Sequence, residues 1–525
     1  MKKTLIPFLL LCLLSSLKAQ VDHIGRFEYE DEWNNQDYIV IPSEEEGVLL
    51  VQPMVPGVGK ENTIQFRHLD TDLKEEWVGL FSISKRVSLR GFHYVDKVAY
   101  LFFQNRDNQR YIRIVSINLD QKKVKDFEPK QIVDLDVQEF EVIKQSILIG
   151  GYIEGRPAVF AYDMVSGNVQ TLPNVYQNNS DLLEVRINRD SLTFNVIASE
   201  IDEKKDRTVL VNTYDYLGNP VREYQLETDV NHHLLSAVSS SINNRSQVIT
   251  GLYSIQLGTY PSGFYVNHVD RMGKQTMTYH NFGEFETFLD HRGEKRANKM
   301  KRKAIQAKNS NRAWRYKTKA LFREIVEEDG KLVVMGEFYK PWTTSTNRYS
   351  RVNDDLGPLT TTFNPYTNAS YINDQYDIRG NTFSSDLDYT HAFSLVLDEN
   401  GEIQWDGSAE INESIDGPVR RFGDFQWYNG EVYYAYYDEK KLVVSHLNNK
   451  ENIEGSISKL TLLNPEDELR FERDQFKGIS KWYGNRYLVY GLQHVKPNDK
   501  SSGMRKVFFI NAVSVGPNFK IENQD

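Results

Sequence analysis

The feature that most constrains this chain is a run that recurs along most of its 525 residues: a short alternating apolar stretch closed by aspartate and a turn. The copies are IQFRHLD ending at Asp70, IRIVSINLD at Asp120, AVFAYD at Asp163, VLVNTYD at Asp215, FYVNHVD at Asp270 and FSLVLD at Asp398. Looser ones are LVVSHLN, ending at Asn448, and VFFINAV near the C-terminus. Alternation with period two marks half-buried strands. DYLGNPVREYQL, DRMGKQTMTYH and DENGEIQW continue through a turn into a second strand, with Gly and Asn supplying the positive φ of tight hairpins. A further apolar run precedes most copies, with Gly before an aromatic in SILIGGY, VITGLY and LVVMGEF. The closing aspartates lie 50, 43, 52 and 55 residues apart through Asp270.

Units of about four short strands in 40 to 50 residues, repeated about eight times, predict an all-β chain folded as a seven- or eight-bladed β-propeller. Two stacked β-sandwiches are the competing architecture. The turn aspartates read as structural, because Asp accepts hydrogen bonds from the backbone two residues on without needing a ligand.

The N-terminus, MKKTLIPFLLLCLLSSLKAQ, places two lysines before an apolar run too short to span a bilayer and reads as a signal peptide over residues 1–19. The sole cysteine, Cys12, lies inside it. Leu11 is not the small residue that lipidation at Cys12 requires, so cleavage after Ala19 is expected. The remaining 20–525 then form a single propeller domain without a thiol, excluding disulfides and thiolate chemistry. Cleavage removes three lysines and no acid, which takes the net charge from −10 to −13. No later segment has 18 consecutive apolar residues, so no transmembrane span is expected in the mature chain, which is placed in the periplasm, at the outer membrane or outside the cell.

Two insertions break the period between Asp270 and Asp398. The first, about 284–319, contains EKRANKMKRKAIQAK, free of Gly and Pro and rich in helix formers. Ala297, Met300, Ala304 and Ala307 form one narrow apolar stripe on it. From Arg292 to Lys319 there are twelve basic residues and one acid, Glu294, in an otherwise acidic chain. Lys299, Lys301, Arg302, Lys303, Arg312 and Arg315 are therefore candidate contacts for an envelope protein or for an anionic glycan such as lipopolysaccharide. A solvated helix lying on the protein's own acidic surface explains the same charges. The second insertion, about 341–391, is a long polar stretch that carries Trp342, Tyr349, Tyr366, Tyr371 and Tyr376. Aromatics among amides and hydroxyls suit sugar or peptide contacts, although a loop packing its rings on the propeller accounts for them equally. Export and the acidic remainder argue against nucleic acid.

No P-loop, G-x-S-x-G or H-E-x-x-H motif occurs, and neither a metal nor a cofactor is expected. Paired carboxylates drawn from different blades would leave no local signature. Ala161-Tyr162-Asp163 with Gly167, and Asp398 with Gly401 and Trp405, resemble halves of the quinoprotein-like propeller repeat. That likeness implies the fold and no quinone. The Ala-Gln signal ending, the Tyr- and Asn-rich repeats and the stretch from LVVMGEFY through HAFSLVLDENGEIQWDGSAEIN resemble uncharacterised secreted β-propeller-like proteins of Bacteroidota, which implies an exported protein. The function expected is that of a non-enzymatic binding or assembly component of the cell envelope. The alternative is a propeller enzyme of glycoside hydrolase or lyase type. The oligomeric state is not legible.

Overall fold

The computed structural model describes residues 21–516 apart from 31–37, 53–60, 85, 106–107, 131–132, 202–206, 243–245, 256–259, 315, 324, 344–384, 417–419, 439, 448–452 and 500–502. Inside strands, the side chains of 341–343, 385–386, 416, 453–457 and 473–476 also fall outside the description. Eight antiparallel sheets of four or five strands follow one another along the chain, giving an eight-bladed β-propeller. Blades one to six span 39–84, 87–127, 136–171, 180–225, 232–281 and 319–416; blades seven and eight span 424–459 and 468–515. The chain divides into two compact units, one holding blades one to six and the other blades seven and eight with the N-terminal strand, apart from Leu447.

Blade three illustrates how the sequence builds each sheet. Asp136–Ile143, Ser146–Ile153, Arg156–Asp163 and Val169–Thr171 pair in that order. The second strand is buried on both faces from Ser146 to Gly151, whereas the fourth presents Gln170 and Thr171 to solvent. The recurrent glycine of the second strand permits a close approach. A Cβ on Gly151 would stand 2.0 Å from the Asp136 carbonyl oxygen of the first strand, and one on Gly251 in blade five 2.0 Å from that of Ser236.

The aspartate turns are structural, as their sequence suggests. Asp70, Asp215, Asp270 and Asp398 each accept, at Oδ1, the backbone N–H groups two and four residues on, at 2.8–2.9 Å. Asp163 uses both oxygens on Val165 N–H, Ser166 N–H and the Ser166 hydroxyl. These turns also lock blades together. Gly218 has φ +92°, and a Cβ there would lie 2.9 Å from Leu172 of blade three, whose Gln170 donates to the Gly218 carbonyl at 3.1 Å. After Asn118 the pattern differs, since Asn118 rather than Asp120 accepts from the turn, through Gln121 N–H.

Within the six-blade unit, the first strands of blades one to four are neighbours in sequence order, and that of blade four meets Val238–Ser239 of blade five. In the two-blade unit, Val21–Glu30 pairs antiparallel with Arg505–Val515, so residues next to the start of the chain complete the last sheet. Arg26 holds this seam. It donates to Glu28 at 2.7 Å, Asn511 at 2.6 Å and Gln493 at 2.7 Å, and its guanidinium lies 4.7 Å from the centre of the Phe509 ring. Arg505 meets the other oxygen of Glu28 at 2.7 Å.

Arg26 and Glu28 are nearly inaccessible, with side chains 3% and 4% exposed. Replacing Arg26 by Met leaves Glu28 with only the more exposed Arg505, and breaking a buried pair of this kind costs roughly 3 kcal/mol or more. The expected outcome for Arg26→Met is a lowered urea midpoint, while the double variant Arg26→Met/Glu28→Gln recovers part of the loss.

Candidate functional site

The first insertion is built into the core by phenylalanine and one carboxylate. Phe282, Phe285 and Phe288 surround Phe264 of blade five at ring-centre distances of 5.5, 5.5 and 5.8 Å. Phe282 and Phe288 stack at 4.5 Å, and Phe288 meets Phe338 of blade six at 5.3 Å. Asp406 of blade six, buried, accepts the backbone N–H groups of Glu286, Thr287 and Phe288, each at 2.7 Å, and the Thr287 hydroxyl at 2.9 Å. The segment therefore ties two blades together before it becomes a helix.

The helix Glu294–Asn309 follows Gly293, whose φ is +74°. The alanine stripe packs inward: Ala297 and Ala304 are buried and Met300 lies against the same core. A Cβ on Gly283 would be 3.0 Å from that of Ala304, so the approach of helix to loop needs glycine there. Two of the helix's cations are consumed internally. Lys301 meets Asp290 at 3.2 Å and the Glu286 carbonyl, and Lys308 pairs with Glu284. Lys301, one of the expected partner contacts, also braces the insertion. Lys299, Arg302, Lys303 and Arg312 are exposed and form no ion pair among the described residues. An open hollow of about 410 Å³ is lined by Lys301, Arg302, Ile305, Gln306, Asn309 and Ser310. Of the aromatics near the helix, Tyr316 is buried and stacks on Trp314 at 5.4 Å.

The second insertion is shorter than its composition suggests. Lys331–Thr343 and Ser385–Asp398 are strands of one hairpin, paired out to Thr343 and Ser385. The expected polar loop at 341–391 is thereby corrected at both ends: Leu387, Tyr389 and His391 are buried in blade six. Tyr349, Tyr366, Tyr371, Tyr376 and Arg315 lie outside the described residues, as does the Trp342 side chain. Topology relates the two insertions. Lys319, where the first one rejoins the sheet, pairs with Tyr339, four residues before the hairpin reaches Thr343, so both leave blade six at the same end.

At that end two imidazoles stack, His291 on His391, with ring centres 3.8 Å apart and planes inclined by 8°. His391 also stacks on Phe338 at 4.8 Å and touches Thr390 Oγ1 through Nδ1 at 2.9 Å, and its buried Nε2 has no hydrogen-bond partner among the described residues. His291 Nδ1 faces the Phe288 carbonyl at 3.1 Å. Burial first, then the charge of Arg292, brings the His291 pKa down to about 3, with Lys340 and Arg296 acting in the same sense. Burial, His291, Arg292 and Lys340 hold His391 well below the ordinary range.

A second polar group lies on the first strands of blades two to five. His93 faces Glu141 at 2.7 Å, and Glu184 accepts from the Ser239 N–H and hydroxyl at 2.8 and 2.6 Å. Arg186 donates to the Ser239 carbonyl at 2.7 Å and to Glu327 at 2.8 Å. Glu139, two residues before Glu141 on the same strand, is also buried. Burial, with Glu141 and Glu184 as like-charged neighbours, pushes its carboxyl well above the usual carboxylate range. Sequence reading missed this group because its members come from different blades and share no spacing. Among the described residues no cluster of His, Cys, Asp or Glu is arranged to hold a metal, and no helix is long and apolar enough to cross a membrane.

No protein-family model matches the sequence, and no curated protein matches it. Solved structures that resemble the chain include the β-propeller domain of the Trilobed protease from Pyrococcus furiosus. It is 10% identical with a TM-score of 0.35, and the match covers 80% of this chain and 98% of that one. The dihydro-heme d1 dehydrogenase NirN, in complex with DHE, is 13% identical with a TM-score of 0.38, covering 95% and 79%. A prolyl endopeptidase structure is 10% identical with a TM-score of 0.39, covering 87% and 54%. No site or activity is drawn from likenesses this distant.

The histidine stack has a definite pH signature. Both folded-state pKa values lie below the ordinary 6.5, so the unfolded chain takes up protons first as pH falls. The stack contributes fully above about pH 7 and loses up to about 1.4 kcal/mol per pH unit per histidine below about pH 6. Urea denaturation at pH 7, 6 and 5 is expected to show a steeper loss for the wild type than for His391→Phe. Equal slopes would mean that the ring at 391 titrates freely in the folded protein.

Proposed function

We propose that the protein is an exported, non-enzymatic β-propeller that serves as a binding or assembly component of the bacterial cell envelope, with the basic helix as its docking element. The observation that carries this reading is the division of labour among the helix's charges. Lys301 and Lys308 face acids of the protein itself, whereas Lys299, Arg302, Lys303 and Arg312 are exposed and have no such partner among the described residues. A cationic face held in place by packed alanines and phenylalanines loses little conformational freedom when an anionic partner binds, which favours affinity. Complementary charge also speeds the encounter and makes it sensitive to salt. The resemblance to secreted Bacteroidota proteins supports the location.

A second reading, a propeller enzyme acting on a polysaccharide, is favoured by one observation. Glu139 is a buried carboxyl that burial and the neighbouring Glu141 and Glu184 push well above the usual carboxylate range, and a carboxyl raised in this way suits a general acid.

Two experiments separate the readings. The triple variant Lys299→Glu/Arg302→Glu/Lys303→Glu should fold normally, since all three side chains are exposed, and should lose any partner that co-purifies with the wild type from native envelopes. Retention of the partner would remove the helix from the account. For the second reading, the wild type should release reducing ends from an envelope or dietary glycan, and Glu139→Gln should reduce that rate by at least about 100-fold. Silence of the wild type across a broad glycan panel would dispose of the enzyme.

A further inference from the structure

The outermost strand of a blade offers an open edge to any other chain, and folded proteins blunt such edges with charge, proline, short length or cover. Seven blades here do so. In blades two and three the strand is short: Lys123–Phe127, with two lysines, and Val169–Thr171. That of blade four opens with Pro220 and carries Arg222 and Glu223. The basic helix lies alongside Gln275–Asn281 of blade five, and the segment 286–288 bonds Asp406 on the outermost strand of blade six. Ile453–Lys459 of blade seven carries Glu454 and Lys459. In blade eight Val21–Glu30 has a register shift between His23 and Gly25 and carries Asp22, Arg26, Glu28 and Glu30.

Glu75–Ser84 of blade one lacks these devices over most of its length. The stretch 77–84, WVGLFSIS, contains no charge and no proline, and it pairs in unbroken register with residues 61–68. Among the described residues no strand pairs with its outer edge. One face is firmly seated: Trp77 meets Phe66 at 4.9 Å, and Phe81 meets Phe103 of blade two at 6.0 Å. A Cβ on Gly79 would fall 2.1 Å from the Phe66 ring, so that ring lies directly on the strand. On the alternate face Leu80 is 63% exposed, and Ser82 is exposed as well. A strand held this way is a preformed template, which another strand can extend without first ordering a loop.

Charges at the two ends select the partner. Glu75 and Glu76 stand at the start, their side chains 39% and 48% exposed although they meet Arg67 and His68. Lys74 is held by Asp72 at 3.0 Å. Arg86, two residues past the other end, is exposed and forms no ion pair among the described residues. An antiparallel copy of the same strand sets the acids towards Arg86 at both ends and the uncharged middle on itself, whereas a parallel copy sets acid beside acid. We propose that Glu75–Ser84 pairs antiparallel, edge to edge, with the same strand of a second copy of this chain across a two-fold axis. One strand pair buries little beyond its backbone and Leu80, so the dimer is weak and depends on concentration.

The test is sedimentation velocity on the full mature protein from low micromolar to near-millimolar concentration, where the wild type should pass from monomer to dimer. Leu80→Lys and Ser82→Lys, at exposed positions that leave Tm unchanged, should each weaken dimerisation at least about tenfold, because lysine on an edge opposes pairing. Arg86→Glu should weaken it too, and the double variant Glu76→Arg/Arg86→Glu should recover the loss, since the swap restores unlike charges only when the strand faces its own copy. A wild type that stays monomeric throughout would overturn the proposal and leave the edge to a different chain. A dimer indifferent to both lysine variants would overturn it as well, as would a charge swap that recovers nothing. The triple variant of the basic helix should dimerise like the wild type, so this inference and the docking reading stand or fall separately.

Discussion

The Asp406 carboxylate is the contact on which the anchoring of the basic helix depends. Three backbone N–H groups and a hydroxyl converge on one buried side chain, so the entry of the first insertion is fixed to blade six before the helix begins. Hydrogen bonds to an ionised acceptor contribute about 1.5–3 kcal/mol each. Removing the acceptor would also strand those N–H groups in an apolar surround. With the entry fixed, Phe282 and Phe288 stack, Phe264 and Phe338 close over them, and Ala297 and Ala304 seat the helix. A basic helix that is marginal in isolation becomes a rigid platform because its anchors are tertiary.

Two kinds of charge result. Inward-facing ones are satisfied in pairs or networks, as with Lys301 and Asp290, Arg186 and Glu327, or Arg26 and Glu28. The exposed cations Lys299, Arg302, Lys303 and Arg312 form no ion pair among the described residues. The stacked imidazoles lie between these regimes: neutral, they fill an apolar slot beside Arg292 and Lys340; protonated, they would add to an already positive neighbourhood. The same end of blade six thus places exposed positive charge near two imidazoles whose pKa values burial holds low.

Much of the architecture was legible residue by residue. Asp70, Asp163, Asp215, Asp270 and Asp398 close their turns through local hydrogen bonds, which depend only on residue type and short spacing. The apolar stripe of Ala297, Met300 and Ala304 was visible for the same reason, since a helical face is a local property. The ends of the second insertion were not, because polar composition between Lys331 and Asp398 hides a hairpin whose buried residues, Leu387, Tyr389 and His391, find their partners on neighbouring strands. Nor was the role of Lys301, whose acid, Asp290, becomes adjacent only when the chain doubles back.

By itself the sequence determined the strand period, the turns, the helix and the concentration of positive charge between Arg292 and Lys319, all consequences of contacts within a few residues. Tertiary structure decided the count of eight blades and the pairing of Val21–Glu30 with Arg505–Val515. It also decided which cations are neutralised and the meeting of His291 with His391, and of Glu139 with Glu141 and Glu184. Most of these depend on residues far apart along the chain, and pairwise electrostatics and packing act over distance in space, not over separation in sequence.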